Sequence, residues 1–132
     1  MTAIDWVWDE SLPDTIQARF SIGWTWEDYH ALLDELKTSI EDPQTEIHWI
    51  VIYSPGARIP QGATSPHHKR SANVVKLGVT VSITNDPVVI ATVRQSQKIL
   101  GRKENIHFAI RNTVEEAQEF IKQHINNPTR LS

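Results

Sequence analysis

Seven residues, Ile47 to Tyr53, constrain the fold more than any other stretch of this 132-residue chain. They read IHWIVIY, with large apolar side chains at both odd and even positions. Successive side chains of a strand point to opposite faces, so a run that is apolar in both registers must be covered on both. That pattern predicts an interior strand with helices packed on either side. A length of 132 residues suits one domain, and a hydrophobic content of 39% is enough to fill one core at that size.

The flanking segments fit an α/β reading. Ile4, Trp6 and Trp8 alternate with Asp5 and Val7, and Ile16, Ala18, Phe20 and Ile22 alternate with polar residues or glycine. Pro13 sits in the turn between them, which predicts an antiparallel strand pair. Thr25 and Asp28 mark a helix start, after which Tyr29, Leu32, Leu33, Leu36 and Ile40 recur at helical spacing up to a stop at Asp42-Pro43. Val79, Val81 and Ile83 alternate with hydroxyl residues and predict a strand. Asp86-Pro87 then opens a helix carrying Val89, Val93 and Leu100, and Gly101 ends it. Ile106, Phe108 and Ile110 predict one more strand. Thr113 with Glu116 forms a capping box for a last helix with Val114, Ala117, Phe120, Ile121 and Ile125 facing inward. Between Ser54 and Gly78 the signals are turns, followed by a weakly amphipathic helix from Pro66 to Leu77 with Ser65 as its cap and Gly78 as its stop.

Charge is unevenly laid out. Residues 1–46 hold eleven acids against two bases, while residues 47–85 hold no acid and four bases, Arg58, Lys69, Arg70 and Lys76. One account is a buried strand that excludes carboxylates, plus a few solvated bases. The other is a loop that faces an anion or an acidic partner, with Arg58, His67, His68, Lys69 and Arg70 as its contacts.

The order of elements resembles the STAS domain, the fold shared by bacterial anti-anti-sigma factors of the SpoIIAA type and the tails of sulfate transporters. The likeness spans about residues 4–126. It is carried by Gly23-Trp24-Thr25-Trp26-Glu27-Asp28 before the first helix, by the IHWIVIY strand, by Asn85-Asp86-Pro87-Val88-Val89, and by Thr113-Val114-Glu115-Glu116-Ala117. The resemblance implies one STAS/SpoIIAA-like α/β domain over residues 1–132. Its mixed central sheet would have about five strands, with an N-terminal antiparallel pair and three to four helices. It implies a non-enzymatic regulatory module that binds a protein partner, with a homodimer also compatible. The family's phosphoacceptor position falls on Thr64 and Ser65. Here that loop reads Gly62-Ala63-Thr64-Ser65-Pro66, without the family's preceding aspartate or following glycine, so the two hydroxyls are expected as phosphoacceptor or helix cap.

Other chemistries find little footing. The chain has no cysteine, which removes disulfides and thiolate metal sites. His67 and His68 are neighbours and would project about 100° apart on a helix, so no metal and no cofactor is expected. Ser65 near His67 lacks the G-x-S-x-G turn of a hydrolase nucleophile, and no dinucleotide or phosphate-loop glycine pattern occurs. Trp6, Trp8, Trp24 and Trp26 lie in the acidic third of the chain, where phosphate would be repelled, so no nucleic acid is expected. They are expected to seal the open edge of the sheet and one end of the core, with an exposed partner patch as the alternative. No apolar run reaches membrane-spanning length and no signal peptide pattern opens the chain, so a cytoplasmic address without membrane insertion is expected. The alternative function is an anion or small-molecule binder that uses the helix start near Ser65. A third is an enzyme of unknown reaction.

Overall fold

A computed structural model describes residues 3–60 and 75–126. Its strands are β1 (Ile4–Trp8), β2 (Thr15–Phe20), β3 (Ile47–Tyr53), β4 (Leu77–Ile83) and β5 (Phe108–Arg111). Its helices are α1 (Trp26–Ser39), α2 (Pro87–Ile99) and α3 (Val114–Asn126). The five strands form one mixed sheet in the order β1-β2-β3-β4-β5. β1 and β2 are antiparallel, and every later neighbour is parallel. The chain is therefore α/β, with the expected N-terminal strand pair and β3 at the centre.

Register assigns the faces. Ile16, Ala18 and Phe20 of β2 lie opposite Trp49, Val51 and Tyr53 of β3, and Thr80 of β4 lies opposite both Trp49 and Phe108. This face carries α1, whose Tyr29, Leu32, Leu33 and Leu36 are buried against β2 and β3. It also carries α2, whose Val89 and Val93 pack on Phe108 and Tyr53. The opposite face presents Ile50, Val79, Val81, Ile83 and Ala109 to Ala117 and Ile121 of α3. Each fully buried aliphatic side chain contributes about 1.5–3 kcal/mol, so β3, buried on both faces from Ile47 to Val51, anchors both layers.

Local signals explain the helix ends. Thr25 accepts from the Asp28 amide at 3.2 Å while Asp28 accepts from the Thr25 amide at 2.9 Å, a reciprocal capping box. Asp86 caps α2 by accepting from the Val88 amide, with Pro87 as the first helical residue. At α3 the Thr113 hydroxyl accepts from Glu116 as expected, but the carboxylate of Glu116 turns back to the Asn112 amide and the Thr113 hydroxyl. Gly101 ends α2 in the left-handed conformation at φ 74°.

Four expectations are corrected. Gly78 does not stop a helix, because Leu77 already begins β4 and Gly78 lies inside that strand. β4 bulges there: Leu77 pairs with Ile47 and Thr80 with Trp49, so one extra residue stands on the β4 side. A Cβ at Gly78 would come within 2.7 Å of His48 Cε1 and 3.1 Å of the Ile47 carbonyl oxygen, which is why the bulge holds a glycine. The amide of Val79, displaced from the ladder, donates to His48 Nδ1 at 2.9 Å instead. The second correction concerns α3, where His124 takes the innermost place of the last turn and Ile125 is exposed. The third is β5, which begins at Phe108; Ile106 lies in the turn that precedes it. The fourth concerns the tryptophans. Trp24 is buried and Trp6 ties β1 to α1 by donating to Glu35 at 2.8 Å, but Trp8 stands 39% exposed.

Candidate functional site

The parallel strands β3 and β4 end side by side, and the loops that leave them meet. After Tyr53 the chain turns at Ser54–Ala57, closed by the Ala57 amide on the Ser54 carbonyl, with Gly56 at φ 83°. This turn delivers Arg58 to the N-terminus of α2, where its Nε donates to Asp86 at 3.1 Å. Asp86 is held below the usual carboxylate range, chiefly by the Val88 amide it caps and further by Arg58. Of the basic contacts expected from the sequence, Arg58 is thus brought to the C-terminal end of the sheet and already shares an exposed ion pair. Thr64, Ser65, His67, His68, Lys69 and Arg70 lie outside the described residues.

A second feature sits on the helix-bearing face between α1 and α2. Phe20, Trp24, Trp26, Tyr29, Trp49 and Tyr53 wall a cavity of about 60 Å³, floored by Thr80 and Ser82 of β4 and closed on the α2 side by Val93, Ser96 and Gln97. The rings touch edge to face in sequence: Phe20 with Trp24 at 4.7 Å, Trp24 with Trp26 at 5.1 Å, and Trp26 with Tyr29 at 5.6 Å between centroids. Trp24 and Trp49 are only 4% and 3% exposed, and their indole N–H groups find no hydrogen-bond partner among the described residues. Burial, reinforced by Tyr29, pushes the Tyr53 hydroxyl up, so it stays protonated. No charged side chain among the described residues lines this space.

Behind the floor lies Arg102. Its guanidinium donates to Gln97 Oε1 at 2.7 Å, to the carbonyls of His107 and Gly78 at 2.7 and 2.9 Å, and to Thr80 Oγ1 at 3.4 Å. Among the described residues no carboxylate comes within ion-pair distance of it. Burial pulls its pKa down to about 10, against the opposing pull of Glu46, and it remains charged at neutral pH. Thr80 and Gln97 therefore stand between a buried positive charge and the cavity.

The sequence reading missed this cavity. The alternation Val79-Thr80-Val81-Ser82-Ile83 puts two hydroxyls on one face, and register identifies that face as the one where Trp49, Val51 and Phe108 are buried. Among the described residues no group of three His, Asp or Glu side chains could hold a metal ion. No helix among them is long and apolar enough to cross a membrane. In comparisons with protein-family models, curated proteins and solved structures, nothing matches the chain.

Proposed function

We propose that this domain is a non-enzymatic regulatory module of the STAS/SpoIIAA-like kind that works by binding a protein partner. One observation carries the reading: the sheet is mixed and five-stranded, and it opens with an antiparallel pair. This is the arrangement that the resemblance implies. The partner surface lies at the C-terminal end of β3 and β4, where open parallel sheets place their ligands. There Arg58 and the start of α2 meet the loop that leads to Thr64, Ser65, His67, His68, Lys69 and Arg70. Thr64 and Ser65 keep the reading that their sequence suggests, phosphoacceptor or helix cap. A loop without carboxylates favours an acidic partner, through contacts that weaken with salt.

Charge reversal at Lys69 and Arg70 tests this. A tagged wild-type domain is expected to capture a partner that the Lys69→Glu/Arg70→Glu variant loses, with both melting at nearly the same temperature. Equal capture by both would overturn the surface assignment.

A further inference from the structure

We propose that the outer edge of β1 is a docking site for an extended basic peptide, which joins the sheet as one more antiparallel strand. The phase of the β1–β2 ladder shows that this edge is open. The Ser21 amide donates to the Ala3 carbonyl and the Asp9 amide to the Thr15 carbonyl, each at 2.8 Å. Residues that bond across an antiparallel pair alternate with residues that do not, so Ala3, Asp5, Val7 and Asp9 bond to β2. The amides and carbonyls of Trp6 and Trp8 therefore point away from the sheet. Among the described residues no strand lies beyond them and no loop bonds to them.

The opposite edge is closed by the chain itself. The His107 and Arg111 carbonyls turn toward β4 and accept from the Thr80 and Thr84 amides. Those of Phe108 and Ile110 thus face outward, yet the Asn105 amide donates to the first at 2.6 Å and the Arg111 guanidinium to the second at 2.9 Å. An open edge invites pairing with another chain, and proteins blunt it with prolines, lysines, bulges or covering loops. β1 has no proline, no lysine and an unbroken register with β2, and its Val7 and Trp8 stand 61% and 39% exposed.

Charge identifies the guest. Glu35 accepts the Trp6 indole with one carboxylate oxygen, which sets its charge beside the edge. Asp28, seven residues earlier in α1, lies on the same flank of that helix. Asp5 is exposed on the other face of β1, and Glu10 follows the strand. None of these four carboxylates is in an ion pair among the described residues, and Arg19, opposite Asp5 on β2, is the one base of the strand pair. Guest residues opposite Trp6 and Trp8 share their face, where a lysine or arginine meets indole rings and the Glu35 carboxylate together. A second copy of this chain, paired β1 to β1 about a two-fold axis, would bring two such acidic flanks together, so it is the poorer occupant. Nothing here rests on the partner surface around Arg58.

The probe is a blocked peptide of alternating lysine and valine, about seven residues long, enough to span the five residues of β1. A glutamate–valine peptide tests charge, and a lysine–valine peptide N-methylated at its lysine amides keeps the charge but cannot pair as a strand. Proton–nitrogen correlation spectra of labelled wild-type protein follow each titration. The Trp6 and Trp8 amides are expected to shift saturably with the lysine peptide, with half-saturation on the order of a millimolar for so short a guest. They should also exchange with solvent more slowly once it is bound. The glutamate peptide should leave them in place, and N-methylation should weaken binding about fivefold or more, the worth of one hydrogen bond or several. Glu35→Gln, which keeps the shape and an acceptor for Trp6, should weaken it about threefold, as for one exposed charge pair. No saturable shift at Trp6 and Trp8, or equal binding by either control peptide, would overturn the proposal. So would sedimentation of the wild-type protein as a dimer whose Trp6 and Trp8 amides are already slow to exchange, since a second copy would then hold the edge. The titration uses the unaltered protein, so it decides the matter even if the variant fails to fold.

Discussion

Gln118, on the last helix, donates at 2.9 Å to Oδ2 of Asp9, in the turn that follows the first strand. The same carboxylate accepts from the Gln17 side chain at 2.8 Å, and its other oxygen takes the Ser11 amide, the Ser11 hydroxyl and the Leu12 amide. One nearly buried side chain thus joins the β1–β2 turn, the second strand and α3.

Replacement of Asp9 by Asn should therefore loosen three elements at once. Burial alone would raise the Asp9 pKa, but the bonds from Gln118, Gln17 and Ser11 outweigh it and hold the carboxyl at about 2. A carboxyl with a lowered folded-state value stabilises fully above its unfolded value near 3.8 and loses that contribution as pH falls through about 2. Allowing for screening at a turn near solvent, the ionised form contributes about 1–2 kcal/mol at neutral pH. Urea melts at pH 7 should show Asp9→Asn destabilised by about that amount. A variant as stable as wild type would show that the turn does not need the charge.

The bulge at Gly78 offers a second test. Gly78→Ala forces His48 to move, which strains the strand and endangers the Val79–His48 bond, at about 1–3 kcal/mol. Once His48 is shortened to Ala the closest obstacle is gone, and only the Ile47 carbonyl oxygen at 3.1 Å stays tight. The double variant Gly78→Ala/His48→Ala should then lose less than the sum of the two single losses. Simple additivity across four urea midpoints would mean that the two residues do not meet as described.

Acid should act at the same end of the sheet. His48 and His124 stand ring to ring at 5.3 Å between centroids. Burial lowers both pKa values from 6.5; His124 adds to the shift at His48, Glu46 opposes it at both, and Asp14 opposes it at His48. His107, nearby, is lowered by burial, by Arg102 and Lys103, and by His124. The unfolded chain then binds more protons below about pH 6.5, so stability is full above that pH and falls as pH drops toward and through the lowered folded values. Melting temperature from pH 8 to pH 5 should decline below pH 6.5, and His124→Leu should flatten the decline. An unchanged slope in that variant would exclude the pair as its source.

Much of the fold was legible because its signals are local. Thr25 with Asp28, and Asp86 with Pro87, cap helices through groups within three residues of one another, and both starts stand where the sequence placed them. Ile47 to Tyr53 announced an interior strand because nothing else tolerates so many apolar side chains on both faces. Gly78 was misread because a glycine that makes room for a distant histidine looks the same, in one dimension, as a glycine that ends a helix. The place of Ser82 was equally hidden. Val79-Thr80-Val81-Ser82 alternates identically whether the hydroxyls meet solvent or a buried cavity, and only register against Val51 and Ile110 tells the two apart. The inward turn of His124 had no sequence signal stronger than the neighbouring Ile125.

Because each strand lies beside its immediate predecessor in the chain, the sheet can grow by accretion. The β1–β2 ribbon needs only a short turn, and each later strand docks on an edge that its predecessor has just supplied. As the chain leaves the ribosome, no strand among the described residues waits for a distant mate, which shortens the time an apolar edge such as that of β3 stays bare. The exception is the face that α3 covers: Ile50, Val79 and Val81 stay bare to water until Ala117 and Ile121 have been made, so the exposure of that face during synthesis is set by α3.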